Sequence, residues 1–334
     1  MRRGALITAA DLAAYRPLVR RPLATVYRGY RVLAPPPPSA GGVAVIQVLQ
    51  ALRLYDLEPA DRGGVRLLHL EAEMLRRAFA DRHAWLGDPD FVDVPLATLL
   101  DPVRMDAWRR SLSLERTSPS LSLFGSRLPR RRTPASRGGE PKETTHFSVV
   151  DGRGNAVSQT TTLNTWFGTG LMARGTGILW NNEMDDFATG PGLPNAHGLP
   201  GSARNAIAPG KRPLSSMTPV IIERDGRLAY LLGSPGGATI PSTVVQVIVA
   251  LIDLELEPQE AVDEPRVHHQ GLPDRLEHEA GALPPEIRAA LMAKGYTLHL
   301  DRRPQGDVHL IAVAPDGSLL AAADPRRGGA ARGE

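Results

Sequence analysis

The stretch that decides the fold starts at Thr144: TTHFSVVDGRGNAVSQTTTLNT, running to Thr165. Directly before it, Ser126 to Glu143 reads SRLPRRRTPASRGGEPKE. The upstream piece carries Arg130-Arg131-Arg132, with Arg127 and Arg137 around it, three prolines, two glycines and no apolar periodicity. Such a segment cannot bury enough surface to offset its chain entropy and reads as a flexible linker. The downstream piece pairs two runs, His146–Val150 and Ala156–Thr162, about an Asp151-Gly152 turn. The same plan recurs in Val220–Glu223 with Leu228–Leu232 about Asp225-Gly226. It recurs again in Val308–Val313 with Leu319–Ala323 about Asp316-Gly317. Asp-Gly between apolar runs signals a hairpin, because glycine accepts the positive φ of such turns.

Upstream of the linker the pattern is mainly helical. Pro35–Pro38 predicts a stiff extended rod, followed by an apolar helix over Val43–Leu54. A second helix spans Val65–Trp85, with Leu67, Leu70, Met74 and Ala78 on one stripe. Further helices are predicted at Ser242–Leu254 and Pro285–Lys294. Antiparallel hairpins with segregated helices argue an α+β layered fold and not a doubly wound parallel sheet. The organisation expected is residues 1–125 mainly helical, 126–143 linker, and 144–334 the chemistry-bearing region.

Composition narrows the class. The chain has 334 residues, 42% of them hydrophobic and 22% charged, values ordinary for a soluble globular protein. Zero cysteines exclude disulfides, a thiol nucleophile and thiolate metal sites. A net charge of +3 with 5% aromatics argues against a nucleic-acid platform. No run reaches the roughly 18 apolar residues of a membrane span. The start, with Arg2 and Arg3, turns polar at Asp11 without a secretory h-region, which leaves the compartment open.

A threonine hydroxyl is a weak nucleophile, and one located just after a cuttable linker can become a chain terminus whose own amine serves as base. Thr144 is such a candidate. Downstream lie Thr160–Thr165, dense in hydroxyls; Asn182–Phe187, with three acids; Lys211–Pro219, with Ser215 and Ser216; and Gly233–Gly237, whose glycines let backbone N–H groups approach an oxyanion.

In order along the chain, TTHFSVVD, TLNTWFGTG, GILWNNEMDDF, KRPLSSMTP, LLGSPGG, EAVDEPRVHHQ and DPR resemble the small subunit of γ-glutamyltransferases (glutathione hydrolases), members of the N-terminal-nucleophile hydrolase superfamily. ITAADLAAY, YRGYRV, PPPPSAGG and ADRHAWLGDPDF resemble the end of that family's large subunit. The resemblance implies a four-layer αββα sandwich that lacks the N-terminal part of the large subunit. It implies self-cleavage between Glu143 and Thr144, with Thr144 as nucleophile and Thr162 orienting its hydroxyl. Asn164, Glu183 and Asp186 would receive the donor's α-ammonium, Ser215 and Ser216 its α-carboxylate, and Gly236 and Gly237 the oxyanion. Asp185 is expected to be solvated or structural. No cofactor or metal is implied. The donor class would be glutathione and other γ-glutamyl compounds, with water or an amino acid or peptide amine as acceptor.

The same resemblance marks departures. The family's carboxylate-clamping arginine belongs to the missing portion, and Arg20, Arg21 and Arg174 do not stand in its motif. His197, in a loop over Pro191–Ser202, replaces a frequent aromatic, and His309 a frequent glutamine. Two rival readings remain: a cephalosporin (glutaryl) acylase, and a silent relative or one part of a split enzyme completed by another chain. His69 and Glu73, at i and i+4, read as a surface pair and not a zinc site. Adjacent His268 and His269 read as structural, since neighbouring strand residues face opposite sides.

Overall fold

The computed structural model describes residues 7–125, 142–190 and 192–333. Most of the predicted linker therefore lies outside the described residues. A six-stranded sheet is the frame. It takes β1 (Leu23–Tyr27) and β2 (Tyr30–Ala34) from the front of the chain. From the rear it takes β5 (Val220–Arg224), β6 (Arg227–Gly233), β10 (His309–Val313) and β11 (Leu319–Ala323), in the order β1-β2-β5-β6-β10-β11. Every pairing is antiparallel, and β2 binds β5 across the two sequence regions.

One face of the sheet is covered by α2 (Ala40–Leu52) and α7 (Ile240–Ile252), with α3 (Val65–Trp85) packed on α2. All thirteen residues of α2 are buried, because sheet, α3 and α7 surround it and no polar stripe is needed. Against the other face lies a two-stranded ribbon, β3 (Lys142–Val150) and β4 (Ala156–Thr165). Side chains alternate along β3: His146 is buried, while Phe147 and Val149 stand exposed with Val157 opposite. The described residues thus form three layers, helices, sheet and ribbon, of the expected sandwich, and the outer face of the ribbon is uncovered. A three-stranded sheet, β7 (Val267–His268), β8 (Leu276–His278) and β9 (Leu298–Leu300), packs near α3 with α9 (Pro285–Ala293). No helix is long and apolar enough to cross a membrane among the described residues.

Two expectations are corrected. The four prolines do not form a rod: the chain turns there, with Ser39 N donating to Pro36 O at 3.0 Å. His69 and Glu73 are not at the surface but 1% and 0% exposed, since α3 is enclosed by α2 on one side and by β7 and α9 on another. His69 binds Tyr296 Oη through Nδ1 (2.8 Å) and Ser113 O through Nε2 (2.7 Å). His268 and His269 do diverge, towards Ser242 and Arg76 respectively.

Candidate active site

The ribbon places the hydroxyl chemistry. Its register slips by a bulge between Glu143 and Thr144, after which Thr144 pairs with Thr162. The Thr144 hydroxyl donates to Thr162 Oγ1 at 3.0 Å, and Thr162 Oγ1 also accepts from Asn164 N at 2.8 Å. Both hydroxyls face the six-stranded sheet, on the same row as His146 and Ser148. His146 stands on Gly233, where a Cβ would lie 2.4 Å from its ring, so only glycine lets the ribbon sit this close. Burial, then the neighbouring His309, drives the His146 pKa down to about 3, leaving the ring neutral; it bonds Thr160 Oγ1 at 2.9 Å. Gly233 leads into the loop of Gly236 (φ +137°) and Gly237 (φ +60°), backbone values that disfavour a side chain. The 3₁₀ turn Gly237–Thr239 packs against β3 just ahead of α7. A helix start offers unpaired N–H groups and a positive dipole end, the property an oxyanion site requires.

From Thr162 a run of hydrogen bonds leads to the acids. Asn164, at φ +74°, turns β4 so that its Nδ2 donates to Asn182 O (3.3 Å). Asn182 N in turn donates to Leu163 O (3.1 Å), and Asn182 Oδ1 accepts from Thr165 N (3.2 Å). The next residues form the 3₁₀ turn Glu183–Asp186. Burial, then mutual negative charge, raises Glu183 to about 8. Burial also lifts Asp186 to about 6 against the opposing charge of Arg82, and the two titrate as a pair. Glu183 Oε1 is buried and has no hydrogen-bond partner among the described residues. Asp185 is structural, its Oδ2 accepting from Ala196 N at 3.0 Å.

Asn205 ties the acid turn to Leu214, the residue before Ser215 and Ser216: its Nδ2 donates to Asp186 O (2.6 Å) and its Oδ1 accepts from Leu214 N (3.0 Å). The serines make their own contacts elsewhere, Ser215 O accepting from Ala40 N (2.7 Å) at the start of α2. Gly41 packs so closely that a Cβ would lie 1.8 Å from Thr218 Oγ1 and 2.6 Å from Ser216 O. The predicted residues therefore divide. Thr144, Thr162 and Asn164 share one hydrogen-bonded run that ends at the Asn182 carbonyl, and Glu183 and Asp186 stand on the turn that follows, whereas the serines and the glycine loop flank it. Arg20 pairs with Asp90 at 2.6 Å and takes no part. Sequence reasoning missed Arg82, Asn182 and Asn205. Arg82 and Asn182 stand inside quoted motifs, but only the tertiary contacts reveal what they do.

The gamma-glutamyltranspeptidase family profile matches residues 1–334. The chain belongs to that family. The glutathione hydrolase proenzyme of Escherichia coli (strain K12) is 44% identical over 97% of this chain and 54% of the relative. The acylase ACY 1 proenzyme of Pseudomonas sp. (strain V22) is 39% identical over 96% of this chain and 53% of the relative. The chain spans about half the length of the curated relatives it matches. Among solved structures, gamma-glutamyltranspeptidase from Pseudomonas nitroreducens is 47% identical, with a TM-score of 0.54 over 57% of this chain and 98% of that one. Cephalosporin acylase from Bacillus halodurans is 27% identical, with a TM-score of 0.77 over 96% of this chain and 54% of that one. The fold is that of this family of N-terminal-nucleophile hydrolases.

Proposed function

We propose that the chain is the nucleophile-bearing part of a γ-glutamyl hydrolase/transferase. The Thr144 hydroxyl attacks the Glu143 carbonyl carbon, the C–N bond breaks, and the nitrogen takes the proton as an ester forms. Water then splits the ester, releasing the Glu143 carboxylate and a Thr144 with both hydroxyl and amine free. That amine, with an unperturbed pKa near ~8, accepts the hydroxyl proton. Oγ1 then attacks the donor's γ-carbonyl, and the N–H groups of Gly236 and Gly237 receive the oxyanion. The proton passes to the leaving amine. Water or an amine acceptor removes the γ-glutamyl group from the resulting ester, with Thr162 holding the Thr144 rotamer throughout.

The observation that carries this reading is the hydrogen-bonded run from Thr144 through Thr162 and Asn164 to the Asn182 carbonyl, next in sequence to a turn that holds a buried acid pair short of positive charge. Such a pair suits the α-ammonium of a glutamyl head, with Ser215 and Ser216 and the α2 start suiting its α-carboxylate. A glutaryl donor has no cation to offer these acids, which disfavours the acylase reading. The exposed Phe147, Val149 and Val157 and the relatives' greater length support a requirement for further polypeptide over the ribbon.

The test is maturation and turnover. Purified protein yields a fragment whose N-terminal sequence begins at Thr144, and Thr144→Ala leaves one uncut band. The cut protein releases amine from a γ-glutamyl anilide faster than from a glutaryl anilide. Cleavage that persists at the same bond in Thr144→Ala, or preference for the glutaryl compound, overturns the reading.

A further inference from the structure

Between α3 and residues 111–123 the surface folds into a cavity of about 540 Å³. The proposed reaction makes no use of it. Its wall carries the guanidinium groups of Arg77 and Arg116, a row of hydroxyls, and the apolar Pro119 and Leu123; among the described residues no carboxylate lines it.

Arg77 is 3% exposed and most of its fork is occupied. Nη1 donates to Glu73 Oε2 (2.7 Å) and Glu73 O (3.0 Å), and Nη2 to Ser118 Oγ (3.1 Å) and Ser111 Oγ (3.3 Å). Nε, on the same edge of the fork as Nη2, is buried and has no hydrogen-bond partner among the described residues. A donor left in that state is the exception in a folded protein and calls for an acceptor. Arg116 stands exposed, with no ion pair among the described residues. Three serines of the wall spend their hydrogens on near neighbours. Ser111 Oγ donates to Trp108 O (2.9 Å), Ser122 Oγ to Pro119 O (2.6 Å) and Ser113 Oγ to Glu115 Oε2 (3.0 Å). A hydroxyl hydrogen rotates about its Cβ–Oγ bond, so each can turn to an acceptor that enters the cavity.

These features set the chemistry of a ligand. Guanidinium groups on two walls select an oxyanion, through charge-assisted bonds of fixed geometry. Glu73 already balances Arg77, so the surplus positive charge is that of Arg116. The volume exceeds the needs of a bare ion and falls in the range of small-molecule pockets. Pro119 and Leu123 supply the apolar surface that an organic body requires. Glu115, exposed and bonded to Ser113, opposes an anion from the rim.

We propose that this cavity is a binding site for a small phosphate monoester. The phosphate lies between Arg116 and the Arg77–Ser118 edge, and the esterified group lies on Pro119 and Leu123. The site is separate from the acid pocket, and it stands whether or not the γ-glutamyl reading does.

The experiment titrates the full chain calorimetrically with phenyl phosphate and, separately, with inorganic phosphate, at an ionic strength held constant with sodium chloride. Both are expected to bind, phenyl phosphate the more tightly. Arg116→Gln should weaken both about tenfold, the loss expected of one charged hydrogen bond. Its melting temperature without ligand should match that of the parent, which separates a lost contact from a lost fold. Glu115→Gln should tighten both, and saturating L-glutamate should leave both affinities unchanged. Absence of binding at millimolar concentrations overturns the proposal, as does an affinity indifferent to Arg116→Gln. Competition by L-glutamate overturns it by placing the anion in the donor site. Phenyl phosphate that binds no better than inorganic phosphate overturns the monoester assignment.

Discussion

Two buried acid clusters in this molecule are handled in opposite ways. Glu73, on α3, is 0% exposed and fully served: Arg77 Nη1 donates at 2.7 Å, Thr117 Oγ1 at 2.9 Å and Ser118 N at 3.1 Å, with Arg76 Nε at 3.6 Å. Burial opposes its charge, but Arg76, Ser118 and Arg77 prevail and hold the carboxyl at about 2. Glu183 and Asp186 face each other, Arg82 opposes the shift of Asp186 alone, and one oxygen of Glu183 has no partner among the described residues. A protein that equips one buried carboxylate with two arginines shows what a structural acid needs. The second cluster lacks that equipment, which is the feature on which the proposed ammonium site rests.

The largest effect falls on the satisfied acid. Glu73→Gln leaves Arg76 and Arg77 buried beside a neutral group and is expected to cost about 3–5 kcal/mol of stability, read from urea unfolding. Next comes ligand protection. L-glutamate at a hundredfold excess over its Kd should stabilise the protein by ~2.7 kcal/mol in a thermal melt. That protection should vanish in Asp186→Asn.

A third test uses pH, where the two clusters have opposite signs. The raised carboxyls of Glu183 and Asp186 hold protons more tightly folded than unfolded, so their contribution to stability is greatest below about 4 and declines as pH climbs through about 6 and 8. The lowered carboxyl of Glu73 stabilises above about 4.5, and that contribution is lost as pH falls towards about 2. Unfolding curves of Glu183→Gln/Asp186→Asn should therefore lose the decline between pH 4 and 8 while keeping the acid-side loss. The smallest effect belongs to an acid in water. Asp106, paired with Arg109 and Arg110 on the surface of α5 (Pro102–Ser111), should leave the urea unfolding midpoint unchanged when replaced by alanine, because water screens both pairs.

Much of the frame was legible because its signals are local. The helix over Val65–Trp85 and the hairpins at Asp225-Gly226 and Asp316-Gly317 stand where periodicity and turn chemistry put them. The β1–β2 hairpin did not announce itself. Its turn, Arg28-Gly29, adopts the same paired positive φ as Asp225-Gly226, yet arginine is not a residue that advertises that conformation. At the ribbon turn the positive φ falls on Gly154 and not on Gly152 of the expected pair. The enclosure of Glu73 was illegible for a different reason: Arg76 and Arg77 beside it look like a solvated helix face until α3 is covered from two sides. In the site, hydroxyl, acid and glycine motifs could be read from residue chemistry. The contributions of Asn182, Asn205 and Arg82 depend on which loops meet, and no spacing along the chain encodes that.

The bulge between Glu143 and Thr144 divides the ribbon into two kinds of sequence space. One residue added between Glu143 and Thr144 stands opposite Leu163, which the register shift leaves unpaired on β4, and keeps the downstream pairing in phase. One added residue between Thr144 and His146 rotates the remainder of the strand by half a period, taking the imidazole out of its slot over Gly233 and turning Phe147 inward. Length variation should therefore be tolerated on the upstream side of this joint and forbidden immediately past it.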